Sequence, residues 1–216
     1  MYISWLGHSC FKLQDKIGPD GVTVICDPFD PDYVGLKMPS TEADIVTISH
    51  DHKDHNYIKA IRKEPFVITD AGEYETKGVF IEGILSDHDE EKGKKRGQNI
   101  IYRIEIEDLS IAHLGDLGTT LSNKQLEKLE GTDILLIPVG GTYTLDAKKA
   151  VEVINQIEPR IIIPMHYQVP GLKIKELAEL DKFIKEIGLT PTYEEKLKIT
   201  KRDLPEETTE LVILKM

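Results

Sequence analysis

Cysteine is almost missing from this chain: Cys10 and Cys26 are the only two in 216 residues. Two thiols in strand-like sequence cannot form a disulfide framework, and they read as small buried hydrophobes. No apolar run approaches the length that crosses a bilayer. The opening Met1-Tyr2-Ile3-Ser4-Trp5-Leu6 lacks the basic-then-apolar pattern of a secretory leader. Positive charge is also short, with 27 Lys and Arg against 38 Asp and Glu and a formal net charge of −11. That balance opposes non-specific binding to nucleic acid, whose affinity depends on phosphate neutralisation. Neither a low-complexity tract nor a linker interrupts the chain. The expectation is a cytoplasmic protein folded as one domain over residues 1–216, acting on a small molecule without a membrane or nucleic-acid partner. Its oligomeric state is not written in the sequence.

What is present is ordinary globular composition, 40% hydrophobic and 30% charged. Short apolar runs come first, at residues 2–6, 11–13, 22–26 and 45–48, separated by turn signals at Gly7, residues 18–21 and Asp27-Pro28. A short helix is expected over residues 57–62, and further strands over 66–69, 79–85, 100–106 and 109–114, the last two joined in a hairpin at Asp108. Strands and helices then alternate. Ser122 and Gln125 form a capping box that opens a helix closed by Gly131. Ala147, Ala150, Val151, Ile154 and Ile157 recur at helical spacing, as do Leu177, Leu180, Ile184 and Ile187 before Gly188. Buried strands at 134–139 and 161–165 and a closing strand at 211–214 complete the pattern. Strands in both halves with helices late in each favour two packed sheets flanked by helices.

The chemistry concentrates in His50-Asp51-His52-Lys53-Asp54-His55, directly after the apolar run 45–48. A strand ending in such a loop aims several ligands at one point, where a helix would scatter them. Imidazole with carboxylate suits zinc, manganese or iron, and the lack of nearby cysteine argues against a structural zinc finger. The other candidates, Asp27, His88, Asp116 and His166, each follow an expected strand, and that edge is where α/β folds build sites. No serine stands in a G-x-S-x-G setting, and no Lys-Ser/Thr pair completes a phosphate-binding loop after Gly140-Gly141. The cluster Lys92, Lys94, Lys95 and Arg96, mixed with Asp89, Glu90 and Glu91, reads as a solvated loop in preference to an anion-binding arm.

The run His50 to His55 matches the H-x-H-x-D-H motif completely, and the chain from Gly7-His8-Ser9 to His166 resembles the metallo-β-lactamase superfamily. The segments Trp5-Leu6-Gly7-His8-Ser9, Pro138-Val139-Gly140-Gly141-Thr142-Tyr143 and Pro164-Met165-His166-Tyr167 look like its branch of small ascorbate-6-phosphate lactonase-like hydrolases. The resemblance implies a four-layer αββα sandwich and two divalent metal ions, zinc first and manganese second. His50, His52 and His88 would hold one ion, Asp54, His55 and His166 the other, and Asp116 would bridge them. Asp27 would stay off the metals and hold the motif loop through hydrogen bonds. His113 competes with His88, which is preferred because His113 lies within its strand. Leu117 stands where relatives often carry Thr.

The function this implies is a dinuclear metal-dependent hydrolase whose metal-bridging hydroxide cleaves a small ester, lactone or phosphodiester. Asp54 would orient that nucleophile and move protons. His8, placed at the mouth of the site, would orient substrate or stabilise an oxyanion, against a purely structural alternative. Tyr143 and Tyr167 would either meet substrate or pack. The rival readings are a mononuclear iron oxidoreductase of the persulfide dioxygenase kind and a non-catalytic metal-binding protein on the same fold.

Overall fold

Burial alternates along residues 2–7 but is unbroken along 23–26, 45–47, 109–113, 134–138 and 161–165, strands covered on both faces. A computed structural model describes residues 1–16 and 21–216; most of the turn expected at residues 18–21 lies outside them. The first sheet is built from β1 (Tyr2–Gly7), β2 (Cys10–Gln14) and β3 (Thr23–Cys26). The short α1 (Pro31–Val34) follows, with Asp30 as its N-cap, then β4 (Thr41–Glu42) and β5 (Ile45–Thr47). In β3, Val24 and Cys26 face the main core, while Ile25 turns outward beneath Val34 and Leu36. Such two-sided burial explains why β3 and β5 read as unbroken apolar runs.

The helix expected over 57–62 is a single 3-10 turn, Ile58–Ala60, which runs into β6 (Ile61–Arg62) paired parallel with β4. A β-branched isoleucine ends that apolar run and favours extended chain. The chain continues through β7 (Phe66–Ile68), β8 (Gly72–Thr76), β9 (Val79–Asp87), β10 (Gln98–Ile106) and β11 (Leu109–His113). The β10–β11 hairpin turns on Glu107 and Asp108, both at positive φ (51° and 64°), the geometry a two-residue hairpin needs.

Beyond β11 come α2 (Asn123–Leu129), β12 (Ile134–Pro138), α3 (Ala147–Ile157), β13 (Ile161–Met165) and α4 (Leu180–Ile187). The Ser122–Gln125 capping box is formed, with the Ser122 amide donating to Gln125 Oε1 at 2.8 Å. Leu177 is not part of α4. It is buried in the outer cluster beside Leu172, and the helix begins three residues later with Phe183 as its buried anchor. The short β14 (Pro191–Glu194) and β15 (Leu197–Lys198), both mostly exposed, precede β16 (Glu210–Leu214).

The strand order is β15-β1-β2-β3-β5-β7 in one sheet and β14-β16-β13-β12-β11-β10-β9-β8 in the other. The two pack face to face around one core, and Tyr102 on β10 donates its hydroxyl to the carbonyls of Ile48 (2.8 Å) and Ile68 (3.1 Å) across the interface. With helices outside, this is the mixed α/β sandwich that the resemblance implies. No helix among the described residues is long and apolar enough to cross a membrane.

Strand direction places the chemistry. β1 and β3 each pair antiparallel with β2, and β5 pairs parallel with β3, so β1, β3 and β5 point one way. By the same count through β10, β9 and β11 share a direction with β12 and β13. His8, Asp27, the 50–55 loop, His88, Asp116 and His166 therefore all leave the C-terminal ends of strands that run the same way within their own sheet.

Candidate metal centre

Asp116 is the hub of the centre. Its Oδ2 lies 3.3 Å from His55 Nε2, 3.3 Å from His166 Nε2, 3.4 Å from His88 Nε2 and 3.9 Å from His50 Nε2. Three groups of donors, each with ligand atoms mutually within 4.8 Å, surround it: His50, His52 and His88; His8, Asp54, His55 and His166; and His50, His55 and Asp116. The first two are the ligand triads that the resemblance implies, with His8 added to the second. The third joins them through the expected bridge. His52 is exposed, whereas His55, His88, Asp116 and His166 are buried.

The loops are shaped to present these groups. Gly115 has a φ of +55°, and a Cβ there would run into Asn99 Oδ1 and Ser49 Cβ, so the turn to Asp116 requires glycine. Asn99, buried and unremarked in the sequence, accepts from the Asp116 amide at 2.8 Å and donates to the Leu114 carbonyl at 2.9 Å. His8 and His166 sit at φ 52° and 53° and Asp27 at 46°, sparsely populated angles for side chains of this kind, clustered at the site. The His8 carbonyl accepts from both the Trp5 indole (2.9 Å) and the His166 amide (3.1 Å), which binds the two loops together.

Asp27 reaches the motif loop as expected, and it also sets which nitrogens face the centre. Its Oδ1 accepts from the Ser49 amide at 2.7 Å, and its Oδ2 from Ser49 Oγ (2.6 Å) and His55 Nδ1 (2.8 Å). With its hydroxyl hydrogen given to Asp27, Ser49 can only accept from His50 Nδ1, 2.9 Å away. Both imidazoles thus carry a proton on Nδ1 and present Nε2 inward, the arrangement that orients metal-binding histidines. Those two Nε2 atoms, with Asp116 Oδ1, are buried without a hydrogen-bond partner. Orphaned acceptors of this kind are costly unless a cation meets them, so the donor set fits divalent metal.

Electrostatics follow from the same packing. Burial, reinforced by His166, lowers His8 to about 4, and burial with the nearby His55 lowers His50 to about 3. Burial pushes Asp54 and Asp116 up, but surrounding imidazoles outweigh it and hold both below the usual carboxylate range. His55 goes the other way: burial lowers it, yet Asp116, Asp54 and Asp27 raise it well above its ordinary value, so its Nε2 is a position that either a cation or a second proton must fill.

A cleft of about 520 Å³ opens over the centre, lined by Tyr33, Lys53, Asp54, His88, Asp116, Tyr143 and His166 among others. His8 is not at its mouth. It is 1% exposed, behind Asp54, with Nε2 3.2 Å from Asp54 Oδ2. Tyr143 lines the cleft, but Tyr167 is buried and stacked on Trp5 at 5.2 Å, a packing role. His113 is committed elsewhere: Nε2 contacts the Ser9 carbonyl at 2.8 Å and Nδ1 accepts from the Gly115 amide at 3.2 Å. Leu117 is fully buried in the core.

This fold, with a histidine-and-aspartate centre at one edge of two facing sheets, defines a class. The profile of the β-lactamase superfamily domain matches residues 2–166, and the chain belongs to that superfamily, the metallo-β-lactamases. It falls among its UPF0173 proteins. One from Pyrococcus abyssi is 31% identical over 79% of this chain and 85% of its own length. Another, from Thermoplasma acidophilum, is named a UPF0173 metal-dependent hydrolase and is 29% identical over 88% of this chain and 92% of its own. A solved structure from Thermotoga maritima, provisionally described as a Zn-dependent hydrolase of the metallo-β-lactamase superfamily, superposes with a TM-score of 0.79. It is 33% identical and covers 99% of this chain and 97% of that one.

Proposed function

We propose that this metal-dependent hydrolase works with two divalent ions, zinc before manganese, on a small ester, lactone or phosphodiester. The observation that carries the proposal is the position of Asp116 Oδ2, within 3.4 Å of imidazole nitrogens on three separate loops. His50, His52 and His88 would hold one ion and Asp54, His55 and His166 the other, with Asp116 between. Bound there, such ions would supply a nucleophile at neutral pH and polarise the scissile bond.

The remaining work belongs to side chains. Asp54 stays ionised at neutral pH and is a cleft carboxylate able to take a proton and pass it on, with His8 at its Oδ2. His8, neutral at pH 7 and 3.2 Å behind it, orients that carboxylate. Tyr33 and Tyr143 offer phenol hydroxyls at the rim, and Tyr33 is held protonated by the nearby Asp54 and by burial. A cleft of about 520 Å³ suits a small polar metabolite. The cytoplasmic placement rests on two free, buried thiols.

Elemental analysis of protein purified without chelators, beside Asp116→Ala, tests this reading. Close to two zinc or manganese ions per chain are expected, falling to one or fewer in the variant. Turnover of a p-nitrophenyl ester should fall at least about a hundredfold, beyond the range typical of residues that only orient a ligand. Two ions retained by Asp116→Ala would remove the bridge, and one iron without any ester hydrolysis would overturn the reading.

A further inference from the structure

The basic segment between β9 and β10 is an ordered part of the cleft. Asp89 is buried and gathers four backbone amides on one carboxylate: Glu91 (2.8 Å) and Gly93 (3.1 Å) on Oδ1, Lys95 (3.0 Å) and Arg96 (2.9 Å) on Oδ2. A loop closed on its own carboxylate has a defined shape, and here it delivers one side chain to the site. Arg96 lines the same cleft as Asp54, His88 and Asp116, and its guanidinium carbon lies 5.2 Å from the centroid of the Tyr143 ring.

Its place over the Tyr143 ring favours the guanidinium there without neutralising it. Among the described residues no carboxylate forms an ion pair with Arg96, although the loop around it carries Glu90 and Glu91, which pair with Lys149 and Lys95. Lys53, which also lines the cleft, likewise has no ion-pair partner among the described residues. Asp51, Asp54 and Asp116 line the cleft too, but Asp54 and Asp116 are committed to the ions in the assignment above, which leaves Arg96 and Lys53 as unpaired cations able to meet an anion from outside. A planar guanidinium fork matches carboxylate and phosphate oxygens alike.

We propose that Arg96, held by Tyr143 and assisted by Lys53, is the subsite for an anionic group on the substrate, a carboxylate or a phosphate, separate from the bond that is cleaved. The proposal rests on the hydrolase reading above and narrows its substrate class to anionic esters or lactones. Asp89 is then a positioning residue for Arg96.

The test uses metal-loaded protein and three substrates with one leaving group: p-nitrophenyl acetate, mono-p-nitrophenyl succinate and the p-nitrophenyl ester of phosphoglycolic acid. In Arg96→Gln the preference in kcat/KM for an anionic over the neutral ester should fall at least about tenfold, chiefly through KM, and Arg96→Lys should restore part of it. The anionic ester that loses more identifies the group. A second readout needs no turnover: phenylglyoxal modification of Arg96, mapped by peptide mass spectrometry, should slow in saturating succinate or inorganic phosphate. Equal losses on neutral and anionic esters, or no protection by either anion, would overturn the subsite. Protection with no hydrolysis of any ester would uphold the subsite and count against the hydrolase reading alone.

Discussion

Two loops border the cleft, and each hangs from one buried aspartate. The 49–55 loop hangs from Asp27, which arrives from β3, 22 residues before Ser49. The 89–97 loop hangs from Asp89, which bonds amides only two to seven residues ahead. The distant anchor touches a hydroxyl and an imidazole as well as an amide, so it sets the proton positions of His50 and His55 and with them the nitrogens turned toward Asp116. The local anchor touches backbone alone and can do no more than shape its own turn. A carboxylate brought in from elsewhere in the fold acts on chemistry; one contained in its own loop acts on geometry.

Three variants separate the two anchors. The largest effect is expected from Asp27→Asn, which keeps the shape but loses the doubly accepting Oδ2. Metal affinity should fall roughly 10–100-fold in a chelator competition, as for other partners of metal-binding histidines. Ser49→Ala removes the hydroxyl that links Asp27 to His50 but leaves the Asp27–His55 bond in place, and its loss should sit near the low end, about tenfold. Asp89→Ala should change metal affinity least, less than about twofold, while amide hydrogen exchange at Lys95 and Arg96 accelerates as four donors lose their acceptor. Metal loss in Asp89→Ala equal to that in Asp27→Asn would erase the distinction between the two anchors.

The sequence made much of this legible. Clustered His and Asp after an apolar run named the 50–55 loop, and strand ends named Asp27, Asp116 and His166. His88 was readable for the same reason: it directly follows β9, while His113 lies inside β11 with both ring nitrogens engaged by backbone. What sequence could not show depends on tertiary closure. Asn99 and Ser49 are common polar residues whose roles appear only once β10 lies beside β11 and β3 beside β5. Arg96 looked like one more charge on a solvated loop, since nothing in the chain announces that Asp89 folds that loop inward. The expected helix at 57–62 failed because pairing with β4 pulled Ile61 and Arg62 into extended chain. The strands β14 and β15 are too exposed to leave an apolar signature.

The origin of the ligands has a mechanical consequence. His8, His50, His52, Asp54 and His55 come from the sheet formed almost wholly by residues 2–68, whereas His88, Asp116 and His166 come from the other. In the proposed assignment each ion takes two ligands from the first sheet and one from the second, plus the shared Asp116. Neither sheet could assemble either ion site alone, so the ions would act as rivets through the seam between them. At a free-ion concentration a hundred times Kd, each rivet would add about 2.7 kcal/mol against the sheets parting. Metal occupancy would then report that the two halves of the chain have docked.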